Sequence, residues 1–132
     1  MKTLYLAGPI NGCTDEEAND WRQMVKEKLA GDYEFLDPMR RDYRGRELEP
    51  GIAQEIVDGD MRDIADCDIV LAVSPKPSVG TSMEVFYAHY ILRRLTVVVA
   101  PPPISPWFIV NSHIQVANVM AAITYLRAIK GK

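Results

Sequence analysis

The sequence lacks most of the patterns that commit a protein to a particular cofactor or partner. Its two cysteines, Cys13 and Cys67, form neither a metal-binding spacing nor a disulfide framework. It contains no G-x-G-x-x-G fingerprint and no Walker motif, so classical dinucleotide or ATP binding is unsupported. A net charge of −3 argues against a protein that grips nucleic acid through its phosphates. We therefore expect no metal, no cofactor and no polymeric nucleic acid.

Long hydrophobic runs are also missing. No apolar stretch approaches the roughly 20 residues that span a membrane, and the first residues do not have the form of a secretory signal peptide. We therefore expect a cytoplasmic protein with no membrane partner, in which two reduced thiols are ordinary. A chain of 132 residues has the length of one domain, so we predict a single domain over residues 1–132.

What the sequence does contain is a regular alternation of short apolar runs with helical patterns. The runs that predict β-strands lie at residues 3–7, 33–36, 69–73, 95–100 and, more briefly, 114–116. Strands that alternate with helices imply a parallel sheet covered on both faces. The sequence therefore predicts a doubly wound α/β domain, Rossmann- or flavodoxin-like, with a parallel five-stranded sheet flanked by helices.

Four helices are predicted between these strands and after the last one. A capping box of Thr14 and Glu17 begins the first, whose inward face is predicted to carry Ala18, Trp21, Val25 and Leu29. Others follow Pro50 and Asn118, and one over residues 81–94 is apolar enough to be buried on most faces. Residues 104–113 are predicted to be a loop. Ligands of such folds bind beyond the carboxyl ends of the strands, which places loops 8–14, 37–50, 74–81 and 101–111 at the expected site.

The most informative loop is the Ser-, Pro- and Gly-rich segment 74–83 that leads into Glu84. We predict that Glu84 lies in the first turn of the third helix. One interpretation is that it merely complements the helix dipole. The other is that the dipole keeps it ionised as a nucleophile, beside a rim of N–H groups from Gly80, Thr81 and Ser82.

The remaining candidates each have a structural alternative. The segment Gly8–Gly12 is either a plain turn or a place where the backbone approaches a ligand. Asp60, one of five aspartates at positions 58–68, either faces the pocket or is solvated, and the spacing of that cluster resembles no calcium loop. The arginine-rich segment 40–46 is a solvated loop or a lid presenting an Arg and a Tyr. Trp107 packs on the core or stacks on a base, and His113 is more consistent with a structural role.

Three sets of residues, taken together, carry a resemblance to a known family. They are Tyr5-Leu6-Ala7-Gly8-Pro9-Ile10, Asp60 with Ala65-Asp66-Cys67-Asp68-Ile69-Val70, and Pro77-Ser78-Val79-Gly80-Thr81-Ser82-Met83-Glu84 followed by Tyr87-Ala88. In this order and spacing the chain resembles the nucleoside 2-deoxyribosyltransferase family, which includes a deoxynucleoside 5′-monophosphate N-hydrolase branch. The resemblance implies a doubly wound fold and a homodimer or higher homo-oligomer, in which a neighbour often completes the site.

The resemblance also implies a reaction. Glu84 matches the family's glutamate nucleophile, Asp60 an aspartate that contacts the sugar, and Tyr5 a tyrosine near the nucleophile. Attack at C1′ would cleave the N-glycosidic bond and give a covalent deoxyribosyl-enzyme, resolved by another base or by water. The expected partner is thus a small-molecule nucleoside or nucleotide. Alternatives are a hydrolase of 5′-monophosphates without base exchange and a nucleotide-binding module without activity.

The choice between nucleoside and nucleotide depends on Ser78. Nucleoside transferases of the family carry an acid at this position, whereas the monophosphate branch carries a serine that contacts the phosphate. That branch also uses an arginine in the first loop, where this chain has Asn11, so the arginines at 40–46 are candidates to replace it. The predicted substrate-binding residues are Gly8, Ile10, Asn11, Arg41, Tyr43, Ser78, Gly80, Ser82 and Trp107.

Overall fold

The computed structural model describes residues 1–132, which form five parallel strands and five α-helices. The elements are β1 (Thr3–Ala7), α1 (Asp15–Lys28), β2 (Glu34–Leu36), α2 (Ile52–Asp66), β3 (Ile69–Val73), α3 (Val79–Phe86), β4 (Leu95–Val99), α4 (Pro106–Val110), β5 (Ile114–Val116) and α5 (Val119–Ile129). A 3₁₀ turn at Pro38–Arg40 follows β2, and a π-helical turn at Tyr87–Ile91 continues α3.

The strand order is β2-β1-β3-β4-β5, with every pair parallel. This is the flavodoxin-like order, in which the connections change direction between β1 and β3. The predicted fold class is therefore confirmed. The loops that follow β1 and β3 leave the sheet side by side, because Ala7 of β1 lies opposite Ala72 of β3.

The strands are buried on both faces, which is why their sequences read as continuous apolar runs rather than as alternating ones. Side chains on one face, such as Leu4 and Leu6, pack in a cluster with residues of α1 and α5. Side chains on the other face, such as Tyr5 and Ala7, pack with residues of α2, α3 and α4. Tyr5 consequently points toward the layer that contains α2 and α3.

The third helical segment differs from its prediction. It begins at Val79 instead of residue 81, and regular α-helix ends at Phe86, beyond which the π-helical turn runs to Ile91. It is also not buried on most faces, since Met83 is 67% exposed and Ile91 54% exposed. The predicted loop 104–113 contains α4. None of the helices combines the length and hydrophobicity needed to cross a membrane.

Candidate active site

A polar pocket of about 150 Å³ lies at the carboxyl ends of β1 and β3. Fifteen residues line it: Tyr5, Gly8, Ile10, Asn11, Pro38, Arg41, Tyr43, Arg44, Glu47, Ile56, Asp60, Ser78, Gly80, Thr81 and Glu84. They come from β1, the loops after β1, β2 and β3, and helices α2 and α3. Ten of the twelve predicted site residues are thus brought together here, from distant parts of the chain.

The central contact of the polar pocket joins β1 to α3. The hydroxyl of Tyr5 donates a hydrogen bond to Oε2 of Glu84. Tyr5 is fully buried on its strand, so its ring has little freedom to move away from the carboxyl group. Asp60, on α2, lines the same pocket. Two carboxyl groups and a phenol therefore share one small polar space.

The protonation of Glu84 differs from the prediction. Because α3 begins at Val79, Glu84 lies in its second turn rather than the first, where the effect of the helix dipole has faded. Burial and the nearby charge of Asp60 raise the pKa of Glu84 to about 8, although the hydrogen bond from Tyr5 and the charge of Arg22 oppose the shift. The expectation that the helix dipole keeps Glu84 ionised is therefore wrong. Burial and Asp60 therefore favour the protonated form of this carboxyl group in the free protein.

The start of α3 is capped by Ser78. Its Oγ accepts hydrogen bonds from the N–H of Thr81, at 3.4 Å, and from the Thr81 hydroxyl, at 3.1 Å. The N–H of Ser82 is bound to the carbonyl of Ser78. Of the three N–H groups predicted to form the rim, only that of Gly80 is left without a partner. The N–H of Val79 is also unpaired, because the first residues of a helix have no carbonyl partner within it.

The arginines of segment 40–46 are all engaged by carboxylates. Arg40 binds Asp63, Arg41 binds Asp60 and Asp63, Arg44 binds Asp15 and Asp42, and Arg46 binds Glu49. The segment is therefore anchored by ion pairs to α1 and α2 instead of being a freely solvated loop. Hydrogen bonds from Arg40 and Arg41 hold the pKa of Asp63 below its ordinary value despite its burial.

Gly8 is required for packing at the end of β1. A Cβ atom there would lie 2.7 Å from the Trp21 ring and 3.0 Å from the Val73 carbonyl oxygen. Beside it, the buried guanidinium of Arg22 donates to the carbonyl groups of Leu6 and Gly8, at 3.0–3.3 Å. These contacts fix the point at which the chain leaves the sheet and enters the pocket wall.

An apolar groove of about 600 Å³ adjoins the polar pocket. Four residues line both cavities, which are therefore adjacent: Ile56, Asp60, Gly80 and Glu84. The two predicted site residues missing from the polar pocket, Ser82 and Trp107, line this groove instead. Trp107 is 72% exposed on α4, so it does not pack into the core, and it does not line the polar pocket.

Several residues at the site were not foreseen from the sequence. Trp21 packs partly buried against the core as predicted, but its neighbour Arg22 is fully buried on α1, and Asp63 is a buried acid within the aspartate cluster. The spacing of Arg22 from Ala18 and Val25 is helical, so its burial was readable. Pro38, Arg44, Glu47 and Ile56 carried no comparable signal, because only the folded loop places them at the pocket.

Known structures with the same fold include proteins that act on nucleosides and nucleotides. A 2-deoxyribosyltransferase of Bacillus psychrosaccharolyticus is 18% identical, with 93% of this chain and 91% of that one covered and a TM-score of 0.71. A conserved protein of Enterococcus faecalis V583 is 12% identical, with 97% and 98% covered and a TM-score of 0.70. A CMP N-glycosidase of Clostridium botulinum is 15% identical, with 96% and 99% covered and a TM-score of 0.64.

Sequence comparison identifies the family. No curated protein matches the chain significantly. Residues 4–120, which include every predicted site residue, match the family described as nucleoside 2-deoxyribosyltransferase. The resemblance seen in the motifs is thereby confirmed, and the chain belongs to the nucleoside 2-deoxyribosyltransferase family.

Proposed function

We propose that this protein cleaves the N-glycosidic bond of 2′-deoxynucleosides or their 5′-monophosphates through a covalent deoxyribosyl-Glu84 intermediate. The sugar then passes to another base or to water. The observation that carries this proposal is the Tyr5–Glu84 hydrogen bond in a pocket shared with Asp60. A carboxyl group held by a buried donor, next to a second acid, suits nucleophilic attack on a sugar carbon.

The first step proceeds as follows. One oxygen of ionised Glu84 attacks C1′, and the C1′–N bond breaks with its electron pair passing to the base, which takes up a proton from solvent. Tyr5 binds Oε2, so Oε1 is the oxygen free to attack. The ester is then broken by attack of water or of another base nitrogen on C1′, which releases the Glu84 carboxylate. The positive charge that develops on the sugar ring is favoured by Glu84 and Asp60.

The size of the cavities supports a substrate that uses both. Ligand pockets of proteins typically measure about 300–1000 Å³, whereas the polar pocket holds about 150 Å³. A nucleoside seated at Glu84 would therefore extend into the apolar groove, or into space that a neighbouring subunit encloses. Ser82 and Trp107 then remain candidate substrate contacts, through the groove that they line.

A 5′-monophosphate is the alternative substrate that a specific observation favours. Ser78 places a neutral hydroxyl at the start of α3, where the N–H groups of Val79 and Gly80 have no helical partner and suit an anion. The structural similarity to a CMP N-glycosidase is consistent with a monophosphate substrate. The arginines that were candidates to bind the phosphate already have carboxylate partners, which weakens that part of the argument.

We further propose that a second copy of the chain covers the apolar groove. Exposed apolar side chains surround it on the third helical segment, α2 and α4: Val57, Met61, Val79, Met83, Phe86, Tyr90, Ile91, Trp107 and Val110. Patches of this kind on a soluble protein usually mark an interface. The groove opens next to Glu84, so the second copy would close the substrate site.

A chromatographic screen tests the proposed reaction. Deoxynucleosides and deoxynucleoside monophosphates are incubated with the protein, with and without a free base, and with Glu84→Gln as the matched control. Base release requires Glu84, so we expect the substitution to lower the rate by on the order of 1000-fold or more. Exchange of bases indicates a transferase, and release alone indicates a hydrolase. Binding of nucleotide without any release by the wild type would favour the non-catalytic module.

A further inference from the structure

We propose that Arg41 is a positioning residue that orients Asp60 and holds positive charge beside the two carboxyl groups of the site. This inference rests on the proposed function, since it assigns a role within the same pocket. It follows from two ion pairs that Nη2 of Arg41 makes and from the close approach of the guanidinium to Gly59.

The first two contacts are ion pairs to α2. Nη2 of Arg41 donates to Oδ1 of Asp60 at 3.1 Å and to Oδ2 of Asp63 at 2.8 Å. Asp63 is itself buried, and its other oxygen accepts from Arg40 at 2.7 Å. Arg41 thus bridges two acids of α2, the buried Asp63 and the pocket-lining Asp60. Oδ2 of Asp60 accepts no hydrogen bond from the protein and remains available to a substrate.

The third contact is with the backbone of α2. Gly59 precedes Asp60, and a Cβ atom at that position would lie 2.9 Å from Nε, 3.2 Å from Cζ and 3.3 Å from Nη2 of Arg41. Glycine in the middle of a helix makes the helix less stable than alanine would. Here its absent side chain provides the space in which the guanidinium lies against the helix. A larger residue at position 59 would displace the guanidinium from this place.

Removal of the Arg41 charge has a defined electrostatic consequence. The charge of Asp60 raises the pKa of Glu84, so the two carboxyl groups titrate as a pair, and the loss of a cation beside them raises their apparent pKa values. Burial raises the pKa of Asp60, and Arg41 opposes that shift. The other charged and titratable groups around the pair are Tyr5 on β1, Arg22 on α1, Asp63 on α2, and Arg40, Tyr43, Arg44 and Glu47 in the segment after β2.

The test compares pH profiles of base release for the wild type, Arg41→Gln, Arg41→Lys and Gly59→Ala. In Arg41→Gln we expect the acid limb of kcat to move upward by about one pH unit. Arg41→Lys keeps the charge and should restore most of the wild-type profile, while Gly59→Ala should move the limb in the same direction as Arg41→Gln by displacing the guanidinium. Arg62→Gln removes a charge from the exposed face of the same helix and should leave the profile unchanged. Thermal melts establish that each variant is folded.

A second readout does not depend on activity. The Asp60 side-chain carboxyl, labelled with ¹³C and assigned with Asp60→Asn, is titrated by NMR in the wild type and in Arg41→Gln. A higher apparent pKa in the variant supports the inference even if no base is released, in which case only the proposed function fails. A raised KM for substrate with an unmoved acid limb, or an Asp60 titration identical in both proteins, overturns the inference and returns Arg41 to the substrate contacts.

Discussion

At the scale of single residues, the site depends on the balance of forces on one carboxyl group. Burial and the neighbouring Asp60 favour the protonated form of Glu84, whereas Tyr5 and Arg22 favour the ionised form. The pKa of Glu84, at about 8, lies closer to neutrality than that of an ordinary glutamate. A nucleophile must be ionised, so Glu84 is reactive only in the fraction of molecules that have lost this proton.

This balance predicts a pH dependence that Tyr5 controls. For the free wild-type enzyme, kcat/KM should rise with pH up to about 8, because deprotonation of Glu84 is required. Tyr5→Phe removes a hydrogen bond to the carboxylate, which typically contributes about 1.5–3 kcal/mol. We therefore expect an acid limb at higher pH and a rate lower by roughly 10- to 100-fold. The measurement is the pH profile of initial rates.

A matched control for this substitution lies elsewhere in the core. The hydroxyl of Tyr33 donates to the carbonyl of Leu126, in the layer of α1 and α5. Tyr33→Phe therefore also removes one buried hydroxyl group, and it should lower stability while leaving the acid limb in place. Equal shifts in both variants would mean that Tyr5 acts on stability alone.

At the scale of the element, α3 combines two proposed roles, substrate selection and nucleophilic attack. Its N-terminus is capped by a neutral serine, and its second turn carries Glu84. The cap determines which group can approach the free N–H groups of Val79 and Gly80. The proposed determinant of substrate choice and the proposed nucleophile thus belong to the same helix.

Substitution of Ser78 separates capping from charge. Aspartate and asparagine both cap helices well, but only Ser78→Asp adds a negative charge at the proposed phosphate position. We expect Ser78→Asp to reduce base release from 5′-monophosphates by at least about tenfold, since like charges brought together are costly, and to spare deoxynucleosides. Ser78→Asn should affect both substrates equally and only slightly. Parallel kcat/KM measurements decide, and an equal loss on both substrates with Ser78→Asp would remove the argument for a phosphate subsite at Ser78.

At the scale of the whole molecule, the sheet order brings the loops after β1, β2 and β3 to one edge and the apolar groove to the same side as Glu84. The two layers outside the sheet are unequal. Helix α5 packs its apolar stripe inward, whereas the third helical segment exposes apolar residues on its outer face. An enclosed reaction site would follow if a second copy covered that face.

The proposed interface makes a prediction about mass in solution. Ile91→Glu places a charge on the exposed apolar face, so we expect it to dissociate the oligomer and to reduce base release. Met120→Glu adds the same charge to an exposed residue of α5, on the opposite layer, and should change neither property. Light scattering after size exclusion measures the mass. A monomeric wild type would contradict the proposed interface.

Local patterns predicted most of the fold, and their failures have physical causes. Five strands and the capping box of Thr14 and Glu17 were readable because both depend on neighbouring residues. The short helix α4 was missed because five residues carry no helical period. The third helical segment was expected to be buried because an apolar surface has the same sequence whether its own chain or another molecule covers it.

Motifs located the candidate site better than they described its chemistry. The pocket gathers residues that the motifs singled out, including Tyr5, Asp60 and Glu84. The protonation of Glu84 could not be inferred from sequence, because it depends on the distance to Asp60 and on burial, which only the folded chain defines. The ion pairs of Arg41 were hidden for the same reason, since their partners lie on another helix.

The central claim is that Glu84 becomes covalently bound to the sugar, and intact-protein mass spectrometry tests it most directly. The protein is incubated with a 2′-fluorinated deoxynucleoside or its monophosphate, because the fluorine destabilises the oxocarbenium-like transition states and slows breakdown of the ester. The reaction is then quenched in acid, the intact protein is weighed, and a digest locates the added group. We predict one added sugar group, on the peptide that contains Glu84, and none in Glu84→Gln. An adduct on another residue, or undiminished base release by Glu84→Gln, would contradict the account.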